Sequence, residues 1–198
     1  MKKKKVWIWW LVAALVLGLG VAAYFFFFGG ETAGQPILTI ETPQKVSAGE
    51  VVTLDVTIND LGDALYPAMS MSIRFDSSRL EFSGIREGNV FVYDDANAMG
   101  RKLPEWSCNV ESSNENGLIN IMYLDMTGGK YAFDRELLAS SNNVVLRLEF
   151  RVRGSARPGD VLELSLEDAV FAASDETRSL AMTTGTLKTR NSRIVVGE

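Results

Sequence analysis

From residue 37 onward, apolar and polar residues alternate along several short segments. The pattern is clearest over residues 52–58, 69–75, 146–152 and 162–166. Successive side chains of a β-strand point to opposite faces of the sheet, so a period of two predicts strands with one buried and one solvated face. Half-buried strands of this kind are typical of antiparallel sheets, and their apolar faces need a second layer to cover them.

Weaker segments and turn-forming clusters extend the same pattern. Further strands are predicted at residues 37–41, 80–85, 105–111, 118–125, 169–173 and 192–196. Turns rich in Gly, Asn, Asp and Pro are predicted at residues 47–50, 59–63, 114–117 and 157–160. After residue 36, the only predicted helical element is a single turn within residues 134–141. Short, regularly punctuated strands predict an all-β fold, a two-sheet β-sandwich formed by residues 37–198 as one domain.

The first thirty residues have a different composition from the rest of the chain. Lys2 to Lys5 precede residues 6–28, which contain no charged residue. A helix of that length spans about 34 Å, enough to cross a bilayer, and tryptophans and phenylalanines lie at its two ends. We therefore predict a cytoplasmic basic tail (1–5), a transmembrane signal-anchor (6–28), a linker (29–36) and an extracytoplasmic domain on a single-pass cell-membrane protein.

A cleaved signal peptide is the alternative interpretation of the same residues. Small residues at 21–23 offer a cleavage site, but cleavage there would leave four phenylalanines at the new N-terminus. We favour the uncleaved anchor, and both interpretations export the domain. Fully extended, the eight-residue linker reaches at most about 28 Å, so the domain is expected close to the membrane.

Charge and residue usage exclude several functional classes. The chain has 20 basic and 25 acidic residues, and four of the basic ones are Lys2 to Lys5. Residues 31–198 therefore carry 16 basic and 25 acidic residues, a net charge of −9, which disfavours nucleic acid as a partner. The chain has no histidine and a single cysteine, Cys108. This composition excludes Ser-His-Asp and Cys-His catalysis, an internal disulfide and a Cys-rich zinc site.

The remaining residues give little support for catalysis or metal binding. Cys108 alternates with Trp106 and Val110, which predicts a buried small hydrophobe. A glycosidase needs a pair of carboxylates, but the candidate acids lie in turns or at strand ends, where solvated carboxylates are common. These candidates are Asp94, Asp95, Glu105, Asp125, Asp134 and Asp168. No acidic turn has EF-hand spacing, so we expect no metal site. Because the candidate carboxylates are typical of solvated acids, we also expect neither enzyme activity nor a cofactor.

Five segments, taken in order, resemble the cohesin domain, the module that binds dockerins in cellulosome-type assemblies. They are VSAGEVVTLDVTIND (46–60), MSMSIRFDSSRLEFSGIREG (69–88), INIMYLDMTGGKYAF (119–133), NVVLRLEFRVRGSARPGD (143–160) and LSLEDAVFAAS (164–174). The resemblance covers essentially residues 37–196. It implies a nine-stranded jelly-roll sandwich without catalysis. The implied partner is a dockerin-bearing protein, such as a polysaccharide-degrading enzyme, which would itself carry any calcium.

The resemblance also implies a flat binding face on the sheet containing the third, fifth, sixth and eighth strands. The fifth-strand position does not align without a gap. The matching positions on the other three strands are Ala68, Ser70, Ser72, Met122, Leu124, Asp125, Gly128, Ser165 and Glu167. Well-known cohesins present polar Asn and Asp side chains where this chain has Ala68 and Ser70. We therefore expect the partner to be recognised more by apolar packing than by polar pairing.

The alternation around Met122 supports this face independently. If Ile119, Ile121 and Tyr123 point into the core, Met122 and Leu124 must point outward. Exposed apolar side chains on a strand usually mark an interface, unless loops cover them or they are ordinary scattered surface residues. With one such domain and no dockerin of its own, the chain is predicted to be a monovalent anchor.

Direct carbohydrate binding is the second functional hypothesis, because sugar-binding modules share the sandwich architecture. Sugar binding usually requires a row of exposed aromatic rings. The exported part contains Trp106 and tyrosines at 66, 93, 123 and 131. Tyr123 is predicted to be buried and Trp106 to be structural, so we rank polysaccharide binding below protein binding.

Overall fold

The computed structural model describes residues 35–43, 45–94, 100–127, 130–174, 182–183 and 185–198. The predicted basic tail, the predicted transmembrane segment, most of the linker and Gly128 lie outside these residues. The helices among the described residues lack the length and hydrophobicity needed to span a bilayer.

The described residues form thirteen strands and two short helices. The strands are β1 (Ile37–Glu41), β2 (Lys45–Val46), β3 (Val51–Ile58), β4 (Ala68–Phe75), β5 (Leu80–Glu87), β6 (Val92–Asp94), β7 (Gly100–Lys102), β8 (Leu118–Leu124), β9 (Tyr131–Ala132), β10 (Val144–Val152), β11 (Val161–Ala172), β12 (Lys188–Arg190) and β13 (Ser192–Val196). Helix α1 (Val110–Asn116) precedes β8, and a 3-10 helix (Arg135–Leu137) confirms the helical turn predicted before β10.

These strands build two five-stranded sheets and one small sheet. The first sheet has the order β12-β1-β3-β10-β5, the second has the order β2-β13-β11-β4-β8, and β7-β6-β9 form the third. Pairing is antiparallel except for β1 with β12 and β13 with β2. The predicted all-β, two-sheet sandwich is therefore confirmed. The described strands outnumber the nine implied by the resemblance because short edge strands and the small sheet are added.

The core lies between the two large sheets and is formed by the inward positions of the alternating strands. Phe150 of β10 is fully buried. Its ring centroid lies 5.3 Å from that of Phe75 on the opposite sheet and 5.5 Å from that of Phe82 on the neighbouring strand. Aromatic pairs at these distances add to the free energy gained from burial alone. This cluster therefore joins the two layers.

The outer face of the first sheet is charged, and several of its charges form ion pairs. Arg147 Nε lies 3.0 Å from Asp55 Oδ1, and Arg86 Nε lies 2.8 Å from Glu149 Oε2. These side chains are partly exposed, so each pair contributes little to stability, but together they keep the face well hydrated. The two sides of the sandwich consequently offer different chemistry to a partner.

The strand predicted at residues 105–111 is wrong. Only Ser107 pairs with β8, through hydrogen bonds from Ser107 N to Met122 O (2.8 Å) and from Met122 N to Ser107 O (3.0 Å). The chain then enters α1, where Val110 is 36% exposed. Cys108 is half-buried rather than fully buried, and burial raises the pKa of its thiol.

Local capping explains why a helix forms where alternation predicted a strand. Asn109 Oδ1 accepts a hydrogen bond from Ser112 N (2.9 Å) and so caps the start of α1. Asn114 fixes the helix to β5, since its Nδ2 donates to Phe82 O and its Oδ1 accepts from Phe82 N, both at 2.8 Å. Gly117, with a φ of 63°, ends the helix in the left-handed conformation that glycine tolerates. These contacts outweigh the short alternating pattern.

The strands predicted at residues 162–166 and 169–173 are one continuous strand, β11, interrupted by a bulge. Its register with β4 shifts between Glu167 and Val170. Leu166 and Ala169 both face the core although they are three residues apart, because the bulge inserts an extra residue. That insertion explains why the alternation changes phase at this point.

Candidate protein-binding face

Strands β11, β4 and β8 form the outer face of the second sheet. Their register aligns the outward-facing residues in rows across the three strands. Each row contains one residue from each strand. The rows are Ala172–Ala68–Leu124, Val170–Ser70–Met122, Glu167–Ser72–Asn120 and Arg74 with Ser165 and Leu118. The first two rows make an apolar half containing Ala172, Ala68, Leu124, Val170 and Met122. The next two make a polar half containing Glu167, Ser72, Asn120 and Arg74.

The apolar half is open to solvent. Met122 and Leu124 are each 50% exposed, and Met126 in the following turn is 83% exposed. Tyr123 between them is buried, so the predicted inward and outward orientation of β8 is confirmed. The alternative that loops cover Met122 and Leu124 does not hold. A contiguous group of exposed apolar side chains on a flat sheet is typical of a docking surface.

The polar half satisfies its own hydrogen bonds. Arg74 donates to Glu167 through Nε (2.9 Å to Oε1) and Nη2 (3.2 Å to Oε2), and this carboxylate raises the pKa of the guanidinium. Ser72 Oγ donates to Asn120 Oδ1 over 2.8 Å. Because these groups already have partners within the chain, a second protein gains little by pairing with them.

Asp125 lies just beyond the last row, and its carboxylate organises the turn after β8. Its Oδ1 accepts hydrogen bonds from Thr127 N (2.8 Å) and Thr127 Oγ1 (2.6 Å), and its Oδ2 accepts one from Tyr131 N (3.1 Å). Asp125 N donates to Pro67 O over 2.8 Å. The structure therefore gives Asp125 a role in shaping the turn that carries Met126.

The structure brings most of the predicted contact residues together on this face. Those that share it are Ala68, Ser70, Ser72, Met122, Leu124, Ser165 and Glu167. Asp125 is at its edge, and Gly128 lies outside the described residues. Sequence reasoning missed Val170, Ala172 and Met126. The first two are displaced onto the outer face by the bulge, whose signal was the change of phase in the alternation.

A model of the cohesin domain family matches residues 37–191. This chain belongs to the cohesin domain family. Among curated proteins, no sequence matches it.

Solved cohesin structures share the fold. A ScaC cohesin of Acetivibrio cellulolyticus, in complex with the ScaB dockerin, aligns with a TM-score of 0.61 at 18% identity, covering 82% of this chain and 99% of that chain. The OlpA cohesin of Clostridium thermocellum, in complex with Doc918, gives 0.60 at 17% identity and covers 82% and 99%. A cohesin module from a Clostridium perfringens family 33 glycoside hydrolase gives 0.57 at 12% identity and covers 84% and 99%. At these identities the likeness concerns the fold.

Several aromatic side chains of this cohesin domain are structural. The Trp106 ring centroid lies 5.8 Å from that of Tyr123 and 6.0 Å from that of Phe133, within the core cluster. Tyr123 Oη donates to Tyr131 O over 2.9 Å, and desolvation raises the pKa of Tyr123. Tyr66 is also buried. These rings are therefore not arranged as an exposed platform for a sugar.

Three of the carboxylates considered for catalysis, Asp125, Asp134 and Glu105, have structural partners. Asp134 Oδ1 accepts from Glu136 N (2.9 Å) and caps the 3-10 helix, and Glu105 lies 3.7 Å from Lys102 Nζ. Within the described part of this cohesin domain, no group of three or more His, Cys, Asp or Glu side chains is arranged to hold a metal ion.

Proposed function

We propose that this cohesin domain binds a dockerin-bearing protein, such as a polysaccharide-degrading enzyme, through the apolar half of its outer face. The mechanism is binding without a chemical step. Two of the similar cohesins were solved in complex with dockerins, which supports a dockerin as the class of partner. The proposal includes the fold detail that the cohesin resemblance implies. Nine of the strands follow a jelly-roll connectivity, and the shorter strands are additions to it.

The observation that carries this proposal is the exposure of Met122 and Leu124 beside small residues. Their cross-strand neighbours are Ser70 and Ala68, which leave room for a partner side chain to approach β4 closely. If a partner buries the remaining exposed surface of these two side chains, each contributes about 1 kcal/mol from the hydrophobic effect. The opposite side of the sandwich, with its paired charges, gains nothing comparable from being covered.

A binding panel tests the proposal. The full 198-residue chain, purified in a mild detergent, is immobilised and exposed to recombinant dockerin modules with and without calcium. We expect at least one dockerin to bind with micromolar or tighter affinity and to be released by a chelator, since the calcium is expected on the dockerin. Failure of every dockerin to bind would contradict the proposal. Retention of the chain alone on insoluble cellulose would favour the carbohydrate-binding alternative.

We also propose that the chain is held in the cell membrane by residues 6–28, with its N-terminus cytoplasmic and the cohesin domain outside. The four lysines followed by 23 uncharged residues support this topology through the positive-inside rule. Such an anchor would hold the partner of the cohesin domain close to the lipid.

Cell fractionation followed by N-terminal sequencing tests the anchor. We expect the protein in the membrane fraction, resistant to extraction by alkaline carbonate, with the lysines still present. A mature protein that begins after residue 23 would instead establish a cleaved signal peptide.

A further inference from the structure

A shallow trough crosses the outer face at the border between the apolar and polar halves. Ser70 and Ser72 line it on β4, Asn120 and Met122 line it on β8, and Asp168 lines it on β11. The serines are the smallest side chains along this line. The Arg74–Glu167 pair lies beside Ser72 on the polar side of the trough, and the apolar half lies on the other side.

Asp168 owes its place in the trough to the bulge in β11. It is the only non-glycine residue with a positive φ, 50°, in the described part of the chain. Asp168 has no paired residue on β4, because the register of the two strands passes from Glu167–Ser72 directly to Val170–Ser70. Asp tolerates this conformation better than most residues, and bulges commonly re-aim a side chain at a functional surface. The exposed carboxylate is thus directed to the rim of the trough.

The charge of Asp168 is uncompensated among the described residues. Its neighbour Glu167 is neutralised by Arg74, but no hydrogen bond or ion pair joins the Asp168 side chain to any residue that the structure describes. An ionised carboxylate only accepts hydrogen bonds, so it is complementary to a donor that carries positive charge. Residues 31–198 are also acidic overall, which disfavours an acidic partner surface.

We propose that Asp168 is a specificity-determining contact that accepts hydrogen bonds from a Lys or Arg side chain of the partner. The alkyl stem of that side chain lies along the trough and packs against Met122, while its charged end reaches Asp168. This inference rests on the proposed function and deepens it. The partner surface presents a cation next to the apolar side chains that cover the apolar half.

The test compares Asp168→Asn with the control Glu163→Gln in the full chain, using the dockerin of the panel that binds most tightly. Asn also tolerates a positive φ, so the bulge is kept, and Glu163 is an exposed carboxylate on the same strand outside the trough. At about 0.05 M NaCl, we expect Asp168→Asn to weaken binding about tenfold and Glu163→Gln to leave it unchanged. At about 0.5 M NaCl, the difference between Asp168→Asn and wild type should shrink, because screening weakens the same charge contact.

Two results would overturn this inference, and they are distinguishable. If wild type binds a dockerin and Asp168→Asn shows the same affinity and the same salt dependence, Asp168 is not a contact while the proposed function stands. If the wild-type chain binds no dockerin, the proposed function fails and this inference fails with it. Thermal unfolding of both variants shows whether the fold is unchanged.

Discussion

Replacing either Met122 or Leu124 with Asp is expected to weaken dockerin binding at least a hundredfold. Both side chains are half exposed on the outer face of β8 and are the largest of the apolar half, so the substitution leaves the core intact. In the complex, the new carboxylate would be desolvated without a partner, which costs several kcal/mol. Loss of the apolar contact adds to that cost, because a few large side chains carry most of the free energy of an interface. Isothermal titration calorimetry with the full chain measures the change.

Val51→Asp is the matched control for these two variants. Val51 is also 50% exposed, but it lies on β3 in the opposite sheet. We expect Val51→Asp to bind like the wild type, while all three variants unfold at temperatures close to that of the wild type. Wild-type affinity in both Met122→Asp and Leu124→Asp would remove the apolar half as the docking surface.

Phe150→Ala is expected to lower the free energy of unfolding by about 3–5 kcal/mol. The ring is fully buried and contacts Phe75 of the second sheet and Phe82 of its own sheet. Its removal leaves a cavity between the layers in addition to the lost burial. For a domain of this size, the change corresponds to a fall of roughly 10 °C in Tm. Urea denaturation monitored by circular dichroism measures it.

Arg151→Ala provides the comparison on the same strand. Arg151 follows Phe150 directly but faces solvent, so its truncation should change stability by no more than about 0.5 kcal/mol. Phe150→Leu keeps most of the buried volume and should cost less than half as much as Phe150→Ala. If Phe150→Ala and Arg151→Ala have equal stabilities, the Phe150 face of β10 does not pack in the core.

The strands of the core were predictable because each carries its own signal. In β3, Val52, Leu54, Val56 and Ile58 alternate with polar residues, and the structure buries each of these four. A one-residue shift would move that whole set into water, so the facing of such a strand follows from its sequence alone. The outward direction of Met122 and Leu124 followed in the same way from the inward direction of Tyr123.

The features that escaped prediction depend on contacts between distant parts of the chain. The row Ala172–Ala68–Leu124 joins three strands that are far apart in sequence, and alternation within one strand does not reveal its neighbours. The helix at residues 110–116 depends partly on Asn114 binding the backbone of Phe82, a contact across 32 positions of the chain. The position of Asp168 depends on a bulge defined by pairing with β4.

Helix α1 also affects how copies of this domain meet one another. It packs against β8 and β5, the edge strands of the two large sheets, and among the described residues only Ser107 bridges to the outer edge of β8. An open, regular strand edge would act as a template for neighbouring chains and promote aggregation. Here a second copy that approached edge-on would meet the capped helix instead of a continuous ladder. The edge strand of the proposed docking surface is therefore less open to pairing with another copy of the domain.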